Sequence, residues 1–386
     1  MKGSMLLFMA VTELARRPLR HLAVLLAATF VVFWAGSILL TTDALIAEGD
    51  RVVATAPDLR VERIIAGRHA DLTSAEVAAL GKYRGVRRVQ GRVWGYYFDA
   101  PTGVNLTLMG ILPGAQPPEG VLEGRMPQRV GEAVLGAGVA QARFLNVGRS
   151  FSLLRPDGEL EMLTVVGILK AGSQMLSSDL ILAPPETVRA VFQWSGDRFT
   201  DAALTIAHPE REGAVLARKI VDDHPAYRVV GRSDLSRTLV ASYRTRSGLM
   251  LATAIGLLAA FALLAWDRMS AVTGRERARI GLLKAVGWST RQVVALELLQ
   301  AAAVGVGGFV LGLALAWVHV FALHGAWVMP LLGGWSVLLP PFDLPPAMPW
   351  DVVLPVAALT LLPYLAASVV PAWRAASHDP IAGLNR

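Results

Sequence analysis

The 386-residue chain contains no cysteine, which excludes a disulfide framework, thiolate metal ligands and a cysteine nucleophile. It has only 7 histidines. His69, His208 and His224 stand far apart, and His208 and His224 each precede a proline in loop-like sequence. No HExxH or GxSxG is present, so no spaced metal or nucleophile set points to an enzyme. No GxxxxGK[ST] is present either, so nothing in the chain cradles nucleotide phosphates. Charge is scarce, with 17% charged residues against 54% hydrophobic. In residues 22–40, 248–266, 298–323 and 352–373 there is no Asp, Glu, Lys or Arg at all.

Each of these runs reaches the roughly 20 residues that a helix needs to cross a ~30 Å hydrocarbon core. Their spacing is uneven: one lies near the start, three crowd the last third, and a long, mostly polar module separates them. The fold class expected is an α-helical membrane protein with four transmembrane helices, one N-terminal and three C-terminal, plus a large mixed α/β extracytoplasmic domain. A signal peptide is the alternative for the first run. That run exceeds the usual apolar core of about 7–15 residues and no convincing A-x-A cleavage site follows it, so an uncleaved anchor is expected.

The net charge of +7 raises the question of nucleic acid, but its distribution answers as membrane topology. Lys2, Arg16, Arg17 and Arg20 precede the first run, and Arg268, Arg275, Arg277, Arg279, Lys284 and Arg291 sit between the second and third. The link between the third and fourth carries Asp343 and no Lys or Arg. Short cytoplasmic loops retain basic residues, so both termini and the 267–292 loop are expected inside the cell, with the module outside. The module's 25 basic and 23 acidic residues over 43–246 nearly cancel. The organisation expected is therefore 1–20 cytoplasmic amphipathic segment, 21–42 first span, 43–246 extracytoplasmic domain with stalk ends and 247–266 second span. There follow 267–292 cytoplasmic loop, 293–323 third span, 324–350 outer link, 351–373 fourth span and 374–386 cytoplasmic tail. Trp266 and Trp373 at one set of ends, and Trp327, Trp335 and Trp350 at the other, suit interfacial rings.

Ahead of the first span, Leu6, Leu7, Val11 and Leu14 form a helical stripe before Arg16-Arg17-Pro18. It reads as an amphipathic helix on the inner membrane face, the alternative being a basic leader that only sets orientation. In the module, β-rich runs at 59–65, 92–99, 104–111, 150–154, 162–169, 179–183 and 202–207 alternate with helical patterns at 74–83, 138–145, 185–192 and 209–223. The Gly/Pro cluster 113–120 is a loop by composition. Changes of character near 101–103 and Thr200 suggest two lobes, the middle one inserted in the other. Asp222-Asp223-His224 reads better as a solvated helix end than as a cation site. Met109, Met126, Met162 and Met175 read better as core and loop residues than as soft-metal or haem ligands. Thr41–Asp50 continues from the first span, and Ser233 or Asp234 can cap a helix through Leu235, Leu239 and Tyr243 into the second. Two such helices make a stiff stalk.

The most specific stretch is 274–292, with a charged opening at Arg275–Arg279 and then Ile280-Gly281-Leu282-Leu283-Lys284-Ala285-Val286-Gly287. Ile280 with Leu283, and Leu282 with Val286, give apolar positions at i, i+3/i+4. Gly287 is a stop, and Ser289 or Thr290 a cap for the next helix. Such a helix between two spans lies on lipid or docks in a partner's groove. The pattern resembles the I-G-x-L-[KR]-A-x-G loop of the FtsX/MacB family of ABC transporter permeases, followed there by a helix with an acidic residue, here Glu297. The tail from Pro371 through Asp379-Pro380-Ile381 to Leu384 is similar to that family's terminal motif. Gly131-Glu132-Ala133-Val134-Leu135-Gly136, Asn146-Val147-Gly148 and Val165-Val166-Gly167-Ile168 resemble its MacB-type outer domain.

The resemblance implies that the loop is a coupling helix resting on an ATPase, with Glu276, Arg277, Ile280, Leu283, Lys284 and Gly287 at the contact. It also implies tail contacts at Arg374, Asp379 and Pro380. Glu297 falls near the inner interface, paired or solvated, with a role at a dimer or ATPase contact as the family-based alternative. Gly305, Gly307, Gly308 and Gly312 give a small face, and Gly308-x-x-x-Gly312 allows close helix approach, within the chain or between subunits. Gln300 accompanies Glu297 at the start of that span. His319 and His324 read better as interfacial polar residues than as haem ligands.

The function expected is the permease subunit of an ABC exporter, non-catalytic itself. ATP and Mg²⁺ would be bound by a separate cytoplasmic ATPase, with no cofactor on this chain. A second permease copy is the expected partner, a homologous heterodimer being the alternative. A periplasmic adaptor and an outer-membrane channel join them if the cell has two membranes, with membrane lipid around the spans and no nucleic acid. The rival is an FtsX-like transducer that governs an outer hydrolase. Cargo stays open among lipoprotein, glycolipid, peptide, macrolide and haem.

Overall fold

The computed structural model describes residues 8–10, 12–14, 18–112, 121–169, 177–270, 274–333 and 344–377. Among the described residues, four helices are long and apolar enough to cross a membrane: His21–Thr55, Arg232–Asp267, Thr290–Ala322 and Trp350–Ala376. In hydrocarbon every backbone N–H and C=O must be satisfied within its own segment, which leaves helix as the conformation open to these runs. The described residues separate into two compact units, one holding the apolar helices and the other Leu45–Ser242.

In the helical unit the third span lies directly on the first. A Cβ added at Gly308 would stand 2.5 Å from the Ala28 Cβ, and one at Gly312 would stand 2.6 Å from the Thr29 carbonyl oxygen and 2.7 Å from the Val32 Cβ. These glycines therefore serve packing inside the chain, the first of the two roles open to them from sequence. Gly312→Val forces backbone apart where none can yield. It is expected to cost at least the ~1–3 kcal/mol typical of overpacking, read as a lower unfolding midpoint in detergent. On the fourth span Val352, Val356, Thr360, Tyr364 and Ser368 are buried at every fourth position. Thr360 and Ser368 donate to the carbonyls of Val356 and Tyr364 at 2.7 and 2.8 Å, so burial leaves neither hydroxyl unsatisfied. Pro355, Pro363 and Pro371 sit inside this helix. Tyr364 stacks on Phe261 of the second span at 5.1 Å. The third span ends in a π turn, Val318–Ala322. There His319 is buried with Nδ1 3.1 Å from Ser37 Oγ and Nε2 3.4 Å from the Trp327 amide nitrogen. Both ring nitrogens thus have partners within the chain.

The other unit is built of two sheets. The first has order β12-β1-β11-β3, from Tyr227–Gly231, Leu59–Ile65, Asp201–Ile206 and Val86–Arg92, all antiparallel, with β2 (Arg68–Ala70) against β1. Helices Ser74–Leu80 and Pro209–Asp223 follow β1 and β11, which makes a βαββαβ split sheet with strand order 4-1-3-2. Val77, Leu80, Leu216 and Ile220 of the helices pack on Leu59, Val61, Ala202 and Leu204. The second sheet, a complete insertion between β3 and β11, runs β4-β5-β10-β7-β9-β6 with β8 on β9. Its strands are Trp94–Asp99, Val104–Gly110, Leu180–Ala183, Glu132–Leu135, Leu160–Leu169, Val121–Gly124 and Ser150–Leu154. Among the described strand pairs of this sheet, only β5/β10 and β7/β9 are parallel.

The alternation over 92–99 suggests one strand, but two are present, divided at buried Val93 where the chain leaves one sheet for the other. The inserted lobe thus begins near Val93 and not at 101–103, which is the β4–β5 turn; it ends at Thr200. A period-2 pattern continues unbroken through a strand that changes sheets, so alternation alone cannot register the crossing. Arg92 holds Asp201 with two bonds of 2.7 Å, Trp94 Nε1 donates to the same carboxylate at 2.9 Å, and Thr200 Oγ1 bonds the Trp94 backbone at 2.7 and 3.0 Å. The two crossings are thereby tied to each other.

The β4 and β8 edges of the inserted sheet are bridged by side chains. Arg143 binds the fully buried Asp99 of β4 and donates to the Ser152 carbonyl of β8 at 3.2 Å, while the Leu154 amide donates to Tyr97 Oη at 2.7 Å. The Gly131–Gly136 motif has an equally local cause. Glu132 at the start of β7 accepts from Arg125 at 2.8 and 2.5 Å and from the Gln128 and Arg129 amides at 2.8 and 3.2 Å, closing the turn before the strand. The Arg125 bonds, outweighing burial, bring its carboxyl down to about 2. The folded value lies below the unfolded one of about 4.3. The contribution to stability is therefore complete above that value and lost as pH falls from there toward 2. Glu132→Gln is expected to flatten this part of the acid-unfolding curve, followed by circular dichroism.

At the ends of the two long helices nearest this unit, Ser236 donates to Asp50 at 2.9 Å. Arg232 donates to the Ala56 carbonyl at 3.0 and 2.6 Å and pairs with Asp58 at 3.0 Å. These two helices run Pro18–Thr55 and Arg232–Ser270.

Candidate functional site: the helix between the second and third spans

The 274–292 stretch folds as a helix, Gly274–Ala285, with a sharp stop. Gly287 takes φ +96°, the Gly287 N–H donates to Lys284 O at 2.9 Å and the Trp288 N–H to Leu283 O at 3.0 Å. This pairing of bonds is the Schellman termination, and glycine adopts its left-handed residue without steric cost. Ser289 then caps the third span, its Oγ accepting from the Gln292 amide at 3.3 Å while the Gln292 side chain accepts from the Ser289 amide at 2.9 Å. Helix, turn and span are thus joined by two specific caps.

The two apolar stripes of the helix part company. Ile280, only 4% exposed, packs against Val293 of the third span and Ala375 and Ala376 of the fourth, with Trp288 and Val294 at the rim. Leu282 and Val286 are 63% and 73% exposed. Leu283 and Lys284 are half-buried, and Gly287 is exposed. Ile280 therefore belongs to the seat of the helix and does not offer itself to another chain. The resemblance implied a partner contact for it; the structure instead buries it in its own chain, and Leu282 and Val286 form the exposed stripe. The signal that separates the stripes is the neighbouring apolar surface of the third and fourth spans, which sequence periodicity does not contain.

A polar network completes the seat. Arg279 binds Glu13, ahead of the first span, and Glu297 of the third, and Gln300 donates to Glu13 at 2.8 Å. Glu297 is therefore a partner of the loop helix in its own chain, the paired state of its sequence reading. Neither Glu13 nor Arg279 stood out in the sequence, where each counted only as a charge near a membrane boundary. Leu14 packs on the bundle core of Val24, Ala28, Ala301 and Tyr364, whereas Leu6, Leu7 and Val11 lie outside the described residues. The Arg374 guanidinium lies 5.9 Å over the Trp266 ring, joining the ends of the fourth and second spans. Asp379 and Pro380, and the side chains of Glu276 and Arg277, lie outside the described residues. Met175 does too. No group of three metal-ligating side chains occurs among the described residues.

The loop helix thus has one flank buried on its own spans, a charged anchor and a bare apolar flank. Comparison with known proteins extends over both parts of the chain. The family described as MacB-like periplasmic core domain matches residues 22–221, and the one described as FtsX-like permease C-terminal matches residues 249–380. Among curated proteins, the lipoprotein-releasing system transmembrane protein LolC of Neisseria meningitidis serogroup B (strain ATCC BAA-335 / MC58) is 26% identical over 235 residues, 54% of this chain and 56% of that protein. The chain thus spans little more than half the length of that relative. Two solved structures are similar at lower identity. The periplasmic region of MacB from Actinobacillus actinomycetemcomitans gives a TM-score of 0.33 at 14% identity, covering 47% of this chain and 91% of that one. The extracellular domain of the noncanonic ABC-type transporter YknZ from Gram-positive bacteria gives 0.32 at 15%, covering 45% and 99%.

Proposed function

Because the chain belongs to the FtsX/MacB type of ABC transporter permease, we propose that it is the membrane subunit of an exporter whose ATP hydrolysis occurs on a separate ATPase chain. The observation that carries this reading is the outward Leu282–Val286 flank on a helix pinned by its other side. In this reading the loop helix and both termini face the cytoplasm, the spans cross the inner membrane, and the α/β unit stands outside. The ATPase docks on Leu282 and Val286, flanked by Leu283, Lys284 and Gly287. Covering the exposed leucine and valine contributes about 1.5–3 kcal/mol each.

The mechanism is mechanical. Closure of two ATPases displaces the loop helices of two permease copies; the spans follow, and the unbroken Pro18–Thr55 and Arg232–Ser270 helices carry the displacement outward. The outer unit then moves a hydrophobic or amphipathic substrate from the outer leaflet or the periplasm. The curated relative is named for releasing lipoproteins, and a lipidated protein is the substrate to test first. The experiment is purification of the chain with its genomic neighbours, followed by reconstitution. An ATPase that co-purifies and is stimulated by lipidated substrate supports export. Stimulation by an outer hydrolase alone transfers the assignment to an FtsX-like transducer, and failure to retain an ATPase ends both.

A further inference from the structure

We infer that Arg279 is the positioning residue of the coupling site: one guanidinium, shared by Glu13 ahead of the first span and Glu297 in the third, ties the loop helix to the segment before the first span and to the third span. A displacement of the helix is thereby delivered to that segment and the third span together. The inference rests on the reading that the loop helix receives motion from an ATPase, and it adds which parts of the chain take that motion up.

Ile280 against Val293, Ala375 and Ala376 is apolar packing, which is non-directional and directed at the third and fourth spans. Arg279 adds direction. Its planar fork presents several fixed donors, so it can hold two carboxylates at once, which the point charge of a lysine does poorly. Nη1 bonds Glu13 and Nη2 bonds Glu297, while Gln300 supports Glu13 from the third span at 2.8 Å. The side chains of Arg279, Glu13 and Glu297 are 22%, 26% and 13% exposed, so water screens the trio only partly. Two carboxylates share one cation, and the group carries a net negative charge. Without Arg279, Glu13 and Glu297 would lose the cation they share, and their repulsion would push the segment before the first span off the third. The arginine is therefore what makes three separate stretches of chain behave as one body.

The absence of native cysteine makes the test direct. Spin labels are placed at Phe8 and Val286, both exposed, in the full chain in nanodiscs, and the distance distribution is measured in wild type, Arg279→Gln and a triple reversal, Glu13→Arg with Arg279→Glu and Glu297→Arg. The same three backgrounds without labels are then assayed with the ATPase for retention and for substrate-stimulated hydrolysis. We expect a narrow distribution in wild type, a broad one in Arg279→Gln and a narrow one again in the triple reversal. The ATPase should be retained throughout. Substrate stimulation should fall about tenfold or more in Arg279→Gln, the equivalent of one charged hydrogen bond, and return in the triple reversal. A merely structural arginine would lower stability without separating retention from stimulation. A narrow distribution with wild-type stimulation in Arg279→Gln overturns the inference, as does a triple reversal that restores neither property. If wild type retains no ATPase, the functional reading has failed, and the label distances still decide whether Arg279 holds the three stretches together.

Discussion

A chain carrying Val286→Asp is expected to insert, fold and remain monodisperse, yet lose its ATPase on purification. Val286 is 73% exposed and touches little of its own chain, so aspartate costs the isolated subunit almost nothing. In a complex it would sit where an apolar contact is buried, and the loss of that burial together with an unpaired buried charge is worth at least ~2 kcal/mol, about 30-fold in affinity. Leu282→Asp should behave the same way. Ile280→Asp is the informative contrast. At 4% exposure it places a carboxylate among Val293, Ala375 and Ala376 and should destabilise the subunit itself. Affinity purification with equal detergent loading, beside thermal unfolding of each variant, separates the two outcomes. Retention of the ATPase by both Leu282→Asp and Val286→Asp would remove this flank as the docking surface.

The second large effect concerns stability. Asp99 is fully buried beneath Arg143, and burial alone would push its carboxyl up. The bonds from Arg143 and Thr102 outweigh that and hold it below the usual carboxylate range. Asp99→Asn leaves the guanidinium buried and uncompensated at the point where the β4 and β8 edges meet. The expected cost is about 3–5 kcal/mol, the range for breaking one partner of a buried pair. The paired change Asp99→Leu with Arg143→Met removes both charges and should recover most of that loss. Denaturant titration of the purified chain, followed by intrinsic tryptophan fluorescence, measures both. If Asp99→Asn unfolds with the wild-type midpoint, the bridge contributes nothing to holding the sheet closed.

Much of the architecture was legible beforehand, and the residues show why. A span is recognised by length without charge, and helix ends are recognised by their caps, so the four runs, the Gly287 stop and the Ser289 cap follow from local chemistry. The strands at 59–65 and 150–154 and the helices at 185–192 and 209–223 carry the right period within their own boundaries. Val86–Arg92 did not stand out, because Arg87 and Arg88 interrupt its alternation at a register shift opposite Thr205 and Ile206. Glu132–Leu135 is four residues long and buried between two neighbours, which erases alternation altogether.

The site divides along the same line. That a helix follows the second span, ends at Gly287 and carries two apolar stripes is a matter of residue order, since helical spacing and capping act over three to six residues. Which stripe faces outward, which carboxylates Arg279 holds and which span Gly308 and Gly312 meet are set by partners far along the chain. Glu13 and Arg279 are 266 positions apart, and no local pattern marks one for the other. Sequence alone determined a four-span membrane subunit with a helix poised at one end, because hydrophobic length and helix capping are properties of neighbouring residues. Only the tertiary structure decided what that helix shows and what it grips, because burial and ion pairing belong to surfaces that exist once distant segments have met.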